Sequence, residues 1–316
     1  MEKISNSVVG KCCPAAVDTY YLPFSGVTHD YFTETINTTL ATSVQTWKTA
    51  NPTARIITRT PMIGYDGVTG LLIESTTETV FEPLNSVTLQ TYVTAATAAL
   101  QVTAVQTWKT ANPGAKIIAT TLLTGNDGET GYLIEYTTSS TYTGPTNAQT
   151  SQTYFTTAST TDYAQYLAWK IANGGYKPLR INKLVANDGE VGIFVEYATV
   201  GSFPTAAGIQ QSFVSDVDSA GGPGAIAAWK AANLTKSILR ITPIYEGLLI
   251  EYQNSGSTPV NSDVSQSYYA NDPANTDGNT AYQVFKTANP TLIPIRLTPI
   301  IWGDGTTGNL AEYINP

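Results

Sequence analysis

The stretch VQTWKTANPGAKIIA, from Val105 to Ala119, repeats almost letter for letter the stretch VQTWKTANPTARIIT, from Val44 to Thr58. Three weaker copies follow along the chain, YLAWKIANGG, IAAWKAANLT and YQVFKTANPT. One aromatic residue anchors each copy, and the five anchors are Trp47, Trp108, Trp169, Trp229 and Phe285. Because the anchors are spaced 61, 61, 60 and 56 residues apart, the chain is a tandem repeat of one structural unit.

Further landmarks keep step with the anchors. A lysine follows each anchor directly, namely Lys48, Lys109, Lys170, Lys230 and Lys286. An asparagine comes three positions after each lysine, namely Asn51, Asn112, Asn173, Asn233 and Asn289. A glutamate ends the pattern inside an apolar run, namely Glu74, Glu135, Glu196, Glu251 and Glu312. An Asp-Gly pair lies between anchor and glutamate in four copies, and the fourth copy lacks five residues there, which indicates a surface turn.

A proline opens each copy, and the prolines define the predicted boundaries. Residues 1–22 form an N-terminal arm that ends in a strand capping or closing the array. The repeats are 23–82, 83–144, 145–203, 204–258 (with the shortened hairpin loop) and 259–316, each of about 55–62 residues.

The second copy shows the elements of one unit. SVTLQTYVTA alternates polar and apolar residues and predicts a strand. The following helix carries Val105, Trp108 and Ala111 on one face, and Asn112 before Pro113 predicts a left-handed helix end. KIIATTLL and GYLIEYTT flank a glycine-rich turn and predict a hairpin. The fold class is therefore α+β, with five βαββ units, each an antiparallel three-stranded sheet covered by one helix.

A lone unit of this size buries too little apolar surface to be comfortably stable. The units are therefore expected to dock as an array or as a closed pseudo-fivefold ring. Independent beads on linkers such as residues 137–149 are the alternative. In element order and copy number the chain resembles the pentein α/β-propellers, which implies a ring. Pentein enzymes use a Cys or equivalent nucleophile with a His, whereas here the cysteines are Cys12 and Cys13, in the arm, and the one histidine is His29.

Composition narrows the class of protein. The net charge of −8 disfavours nucleic acid and anionic membranes as partners, because phosphate neutralisation needs clustered Lys and Arg. The apolar runs are shorter than a membrane span, and MEKISNSVVGKCC lacks the apolar core of a secretory signal, so synthesis in a host cytoplasm is expected. Charged residues make up 13% of the chain, and its richness in Thr and Tyr resembles that of phage virion proteins built from tandem repeats.

Several recurring residues have both a chemical and a structural interpretation. The anchor aromatics could stack on sugars, but their phase favours packing of the helix on its sheet. The recurring lysine and glutamate could form a catalytic pair, but five such sites in one chain favour a semi-buried ion pair or a solvated position. No second carboxylate stands at a spacing typical of glycosidases.

The remaining candidates are isolated. Asp127 with Glu129, or Asp188 with Glu190, could bind Ca²⁺, although a plain hairpin turn is favoured. Cys12 and Cys13 lack separated metal-binding partners, and His29 replaces a glutamine that the other copies have on their first strand. No cofactor and no metal are predicted. Three tyrosines are candidate partner contacts, namely Tyr65, Tyr142 and Tyr245.

The sequence thus predicts a non-enzymatic structural protein of a phage virion, in head decoration, a fibre, or the tail or neck. Its partners would be other virion proteins or copies of itself. A carbohydrate- or receptor-binding adhesin module, recognising surface glycans through its loops, is the first alternative. A pentein-like enzyme is the weaker one.

Overall fold

The computed structural model describes residues 22–79, 83–156, 162–201, 203–215, 222–244, 247–254, 259–273, 279–301 and 305–316. Each repeat contains a strand, a helix and two further strands, as the sequence predicts. Repeat 1 contains β1 (Thr28–Phe32), α1 (Asn37–Ala50), β2 (Arg55–Ile63) and β3 (Thr69–Thr76). Repeat 2 contains β4 (Leu89–Thr94), α2 (Ala98–Ala111), β5 (Lys116–Thr124) and β6 (Thr130–Thr137). Repeat 3 contains β7 (Thr150–Thr156), α3 (Asp162–Ala172), β8 (Lys177–Val185) and β9 (Val191–Ala198).

The last two repeats follow the same order. Repeat 4 contains β10 (Gln210–Ser215), α4 (Gly222–Ala232), β11 (Lys236–Ile244) and β12 (Gly247–Asn254). Repeat 5 contains β13 (Ser265–Ala270), α5 (Thr280–Ala288), β14 (Ile293–Ile301) and β15 (Thr307–Ile314). A short 3₁₀ turn precedes the first strand of every repeat, for example Asn85–Val87 before β4. The sequence pattern predicts only a strand in this region, so this turn was not predicted.

Every sheet has the third strand of its repeat in the middle, in the order β1-β3-β2 and its equivalents, and all pairings are antiparallel. The second strand of each repeat is therefore an edge strand. A β-bulge interrupts it at the same place in all five copies, as between Ile56 and Thr58 in β2. The residue after the bulge faces the recurring glutamate of the middle strand, as Thr58 faces Glu74. The bulge thus sets which side chain meets that carboxylate.

The hydrophobic cores lie between the repeats. The cluster around α1 joins Val44 of the helix to Ile73 of its own sheet and to Leu133 of the next sheet. Four equivalent clusters surround the other helices. Each helix is therefore enclosed between two sheets. A single repeat supplies the helix and only one of the two sheets that form the core around it.

The fifth cluster closes the ring. It joins Tyr282 of α5 to Met62 and Leu72 of repeat 1. The backbone N–H of Phe24 donates to the carbonyl of Leu292 at 2.9 Å, in the same way that Asn85 N–H donates to Ala54 between repeats 1 and 2. β14 also contacts β2. The five repeats form a closed pseudo-fivefold ring, the arrangement that the resemblance to penteins implied.

The alternative of independent beads is wrong. The segment 137–149, which looked like a linker, buries Thr137, Tyr142 and Asn147 against the ring. Its hydroxyl, amide and aromatic groups pack on the structure instead of extending into solvent. The expected capping strand within residues 1–22 lies almost entirely outside the described residues, and within those residues the sheet of repeat 5 consists of its own three strands.

The buried face of the helix differs from the predicted one. In α2 the buried residues are Ala98, Gln101, Val102, Val105 and Lys109, while Ala111 is exposed and Trp108 is half-buried. The prediction that Ala111 shares the core face was wrong, because it assumed that the helix covers one sheet. A helix enclosed by two sheets turns Lys109 inward to meet a partner on the second sheet.

The asparagine at the helix end does not adopt the predicted left-handed conformation. Asn112 has φ −126° and ψ 57°, and Asn51 and Asn289 are similar. Its side-chain Nδ2 instead donates to the carbonyl of Trp108 at 2.9 Å, and all five copies make this bond. The asparagine therefore caps the helix with its side chain, adding a second donor to a carbonyl of the last turn that the backbone N–H of Asn112 also reaches.

Replacing Asn112 tests this capping role. A left-handed position would prefer glycine, whereas a side-chain cap is lost in glycine and alanine alike. We expect Asn112→Gly and Asn112→Ala each to lower the free energy of unfolding by about 1 kcal/mol, as measured by urea denaturation. A more stable Asn112→Gly variant would show that backbone conformation, and not the amide, selects asparagine here.

Candidate functional site

The recurring lysine and glutamate meet across the interfaces between repeats. The lysine of each repeat reaches the glutamate of the next: Lys48–Glu135 at 3.2 Å, Lys109–Glu196 at 2.9 Å, Lys170–Glu251 at 3.6 Å, Lys230–Glu312 at 3.1 Å and Lys286–Glu74 at 2.7 Å. All ten side chains are buried. The sequence suggested an ion pair, but it did not show that the two partners belong to successive repeats.

A second cation joins four of these pairs. Glu196, Glu251 and Glu312 each receive an arginine of their own repeat, namely Arg180, Arg240 and Arg296. Those arginines also donate to backbone carbonyls of the preceding repeat, as Arg240 does to Leu179 at 3.1 Å. These three arginines therefore join the second strand of their own repeat to the second strand of the preceding repeat.

In the first two repeats the recurring glutamate has a different second partner. Ala119 occupies the arginine position in repeat 2, and Arg59 of repeat 1 reaches across to Glu135 instead. In repeat 1 the position is Thr58, whose hydroxyl donates to Glu74 at 2.9 Å. Tyr282 adds a hydroxyl to Glu74 at 3.2 Å, so the closing interface uses one cation and two hydroxyls.

These clusters specify which surfaces meet. A buried ion pair gains little net stability, because desolvation offsets most of the Coulomb attraction. Leaving one member unpaired in the interior is strongly unfavourable. Since each carboxylate depends on a lysine of the preceding repeat, the pairs favour the closed ring over any isolated repeat.

The ionisation of the clusters follows from burial and neighbouring charge. Burial alone would raise the pKa of Glu196, but the charges of Arg180 and Lys109 outweigh it and lower that pKa to about 2. Burial and the charge of Arg59 lower the pKa of Lys48 to about 7. Burial also lowers the pKa of Arg59 to about 9.

The low pKa of Glu196 predicts acid sensitivity. Its folded-state pKa lies below its ordinary value of 4.5, so its stabilisation is fully present above about pH 4.5 and is lost as the pH falls towards 2. The linked loss is about 3 kcal/mol in the free energy of unfolding. Urea denaturation at several pH values between 7 and 2 measures it. A pH-independent stability across this range would contradict the assignment.

The anchor aromatics are half-buried and contact aromatic residues of their own sheets. Ring centroids are 4.9 Å apart for Trp108 and Tyr136, 5.0 Å for Trp169 and Tyr197, and 5.1 Å for Trp229 and Tyr252. Phe285 and Trp47 make similar contacts with Tyr313 and Phe32. These faces are occupied by packing, as the helix-on-sheet interpretation expects.

The three tyrosines predicted as partner contacts differ in their exposure. Tyr65 lies at a hairpin tip and is 58% exposed. Tyr142 is 7% exposed, so its prediction as an exposed partner contact is wrong. Its ring folds back over the backbone of Gly144, and its carbonyl accepts a hydrogen bond from Lys116 at 2.5 Å. Tyr245 lies outside the described residues.

The carboxylates of the Asp-Gly turns accept hydrogen bonds from backbone N–H groups of their own turns. Oδ1 of Asp66, Asp127 and Asp188 each accepts the N–H two residues later at 3.0 Å, and the glycine that follows has a positive φ. Within the described ranges, no group of three His, Cys, Asp or Glu side chains is placed to hold a metal ion. Cys12 and Cys13 lie outside those ranges, and His29 is exposed on β1 opposite Glu74.

A cavity of about 220 Å³ lies where the five edge strands converge. Residues of β2, β5, β8, β11 and β14 all line it, and most of the lining is Ile, Leu, Val and Pro. One polar side chain stands at the same position of every edge strand, and we call this set the axial belt: Thr60, Thr121, Asn182, Thr242 and Thr298. The belt residues stand 13 positions after each anchor aromatic, a constant spacing by which the sequence itself identifies them as one set.

No family model matches this chain, and no curated protein or solved structure is significantly similar to it. Among the described residues, no helix is both long and apolar enough to cross a membrane.

Proposed function

We propose that this protein is a non-enzymatic structural component of a phage virion, which serves in head decoration, a fibre, or the tail or neck. Its partners are other virion proteins or further copies of itself. The observation that carries the proposal is the distribution of charge over the five helices, which form the part of each repeat enclosed between sheets yet still expose one face.

Every charged residue of the helices is buried. There are six of them, namely Lys48, Lys109, Asp162, Lys170, Lys230 and Lys286. The exposed helix faces consist of uncharged residues such as Thr42, Thr107, Leu167, Ile171 and Val284. A solvated helix ordinarily carries charged residues on its outer face, whereas protein interfaces are depleted of Lys and Glu. An uncharged outer face supports a protein that works in contact with others.

The recurring ionisable residues support the same proposal. Five lysines and five glutamates are committed to buried pairs that join successive repeats. Their repetition is explained by the construction of a rigid ring, which offers five similar sets of contacts to its surroundings. The low proportion of charged residues in the whole chain, 13%, accords with such a role.

Quantitative mass spectrometry of purified particles tests the proposal. We expect this protein at a fixed ratio to the most abundant shell protein. A high ratio would indicate a decoration protein, and a low ratio would indicate a fibre, neck or tail position. Absence from particles would contradict the proposal.

A matched pair of variants sharpens the test. Ile171 is 76% exposed on α3, and Val200 is 47% exposed outside the helices. We expect Ile171→Lys to fold normally but to enter particles less efficiently than Val200→Lys. Saturable binding of a defined glycan, lost on replacing Tyr65, would instead favour the adhesin alternative.

A further inference from the structure

The axial cavity has hydrogen-bonding groups that the protein itself does not satisfy. Thr242 is 3% exposed, and its hydroxyl has no hydrogen-bond partner within the described structure. The side-chain nitrogen of Asn182 is likewise buried and without a partner there. Both residues belong to the axial belt and line the cavity. A buried polar group that lacks a partner is costly, so such groups commonly meet a bound molecule or ordered water.

The backbone adds further open groups. The five sheets are separate, and the strand that lines the axis is an edge strand in each. Edge strands have one row of N–H and C=O groups without a ladder partner. Prolines at 61, 243 and 299 line the cavity and remove donors from three of these edges. The backbone of these edge strands is therefore richer in acceptors than in donors.

The walls are unsuited to water alone. Around the belt the lining is formed by apolar side chains such as Ile57, Ile63, Ile181, Ile241 and Ile301. A buried water needs two to four polar partners, which this apolar part of the walls does not supply. A molecule with an apolar body and a hydroxyl group matches both the walls and the belt. Arg59 and Lys183 are the charged residues of the lining, Arg59 is already paired with Glu135, and no Asp or Glu lines the cavity.

We propose that the axial cavity binds a small uncharged molecule with a mainly apolar body and at least one hydroxyl group. A cavity of about 150 Å³ accommodates benzene, so 220 Å³ accommodates a slightly larger molecule. The ligand enters at the hairpin end of the ring, where Ile301 lines the cavity and is 44% exposed. The hydroxyl of the ligand lies at the level of Thr242 and Asn182.

The test compares phenol with benzene, two probes that differ by one hydroxyl. Binding to the full-length protein is measured by ligand-observed NMR or calorimetry. We expect saturable binding of both, with phenol about three- to tenfold tighter, the range that one hydrogen bond contributes. Thr242→Val keeps the shape of the cavity and should bind the two probes with nearly equal affinity. Thr88→Val, a buried threonine outside the cavity lining, should keep the preference for phenol.

Ile301→Trp narrows the entrance and should abolish binding of both probes. Thr242→Val should fold at least as well as the wild type, since it removes a hydroxyl that lacks a partner within the described structure; Thr242→Ala serves if the valine variant is unstable. Absence of saturable binding would show that the cavity holds ordered water only and would overturn the proposal. Equal affinities in the wild type, or a phenol preference unchanged in Thr242→Val, would overturn it too.

Discussion

Replacing Glu196 by glutamine is expected to lower the free energy of unfolding by about 3–5 kcal/mol, the cost of leaving buried charges without a partner. Glu196 is 2% exposed and holds both Lys109 of repeat 2 and Arg180 of its own repeat. The amide retains the shape of the side chain but not its charge, so two cations remain buried at an interface. Chemical denaturation measures the loss.

Two matched variants isolate the cause. Glu190→Gln changes an exposed glutamate of the same repeat and should shift stability by no more than about 0.5 kcal/mol. Lys109→Met, Arg180→Leu and Glu196→Met combined remove all three charges. Because the desolvation cost disappears with them, this triple variant should be close to wild type in stability. A triple variant that is less stable than Glu196→Gln would show that the ion pairs are themselves the main source of stability.

Replacing Tyr132 by alanine should have a comparable effect, about 3–5 kcal/mol, since it empties a large volume in a closed core. Tyr132 is fully buried on β6, and its ring centroid lies 5.3 Å from that of Phe194 in repeat 3. Its hydroxyl donates to the carbonyl of Lys183 at 3.0 Å. The side chain thus belongs to repeat 2 but is packed against repeat 3.

Hydrogen exchange locates this effect. If the core lies between repeats, Tyr132→Ala should reduce amide protection in β9 of repeat 3 as well as in β6. Tyr65→Ala, at an exposed hairpin tip, should change neither protection nor stability. A loss of protection confined to repeat 2 would contradict the shared core.

The order of elements was predictable because it depends on local signals. Proline positions, the Asp-Gly turns and β-branched runs indicated the strands, hairpins and helices of each repeat, and the five-residue loss in copy four lies between β11 and β12. The 3₁₀ turns were missed, since residues such as Asn85 and Val87 carry no distinctive periodicity.

The interfaces were harder to predict, because they depend on which repeat supplies each partner. The sequence shows a lysine and a glutamate in every copy, and the simplest interpretation pairs them within a copy. Only the arrangement of helices between sheets brings Lys109 to Glu196 instead of Glu135. Predictions for three further residues failed for related reasons. Ala111 lost its place on the core face because the helix packs on a second sheet. Tyr142 lies in a segment that folds back on the ring, and Asn112 caps its helix through the side-chain amide.

The axial belt depends on ring closure in the same way. Thr60, Asn182 and Thr242 look like ordinary strand residues within their own copies. They become one belt only when five edge strands meet around an axis. A search for uncommitted polar residues at constant distance from the anchors would have found them, although not their meeting.

A double-mutant cycle on Lys286 and Glu74 tests most directly whether the ring is closed. These residues belong to repeats 5 and 1, and the lysine Nζ lies 2.7 Å from the carboxylate. Stabilities of Lys286→Met, Glu74→Gln and the double variant give their coupling free energy. The closed ring predicts a coupling free energy of at least about 1 kcal/mol between Lys286 and Glu74. As a control, the stability losses of Lys286→Met and Glu190→Gln should add within about 0.5 kcal/mol. Additivity of Lys286→Met with Glu74→Gln would contradict closure and leave the five repeats an open array.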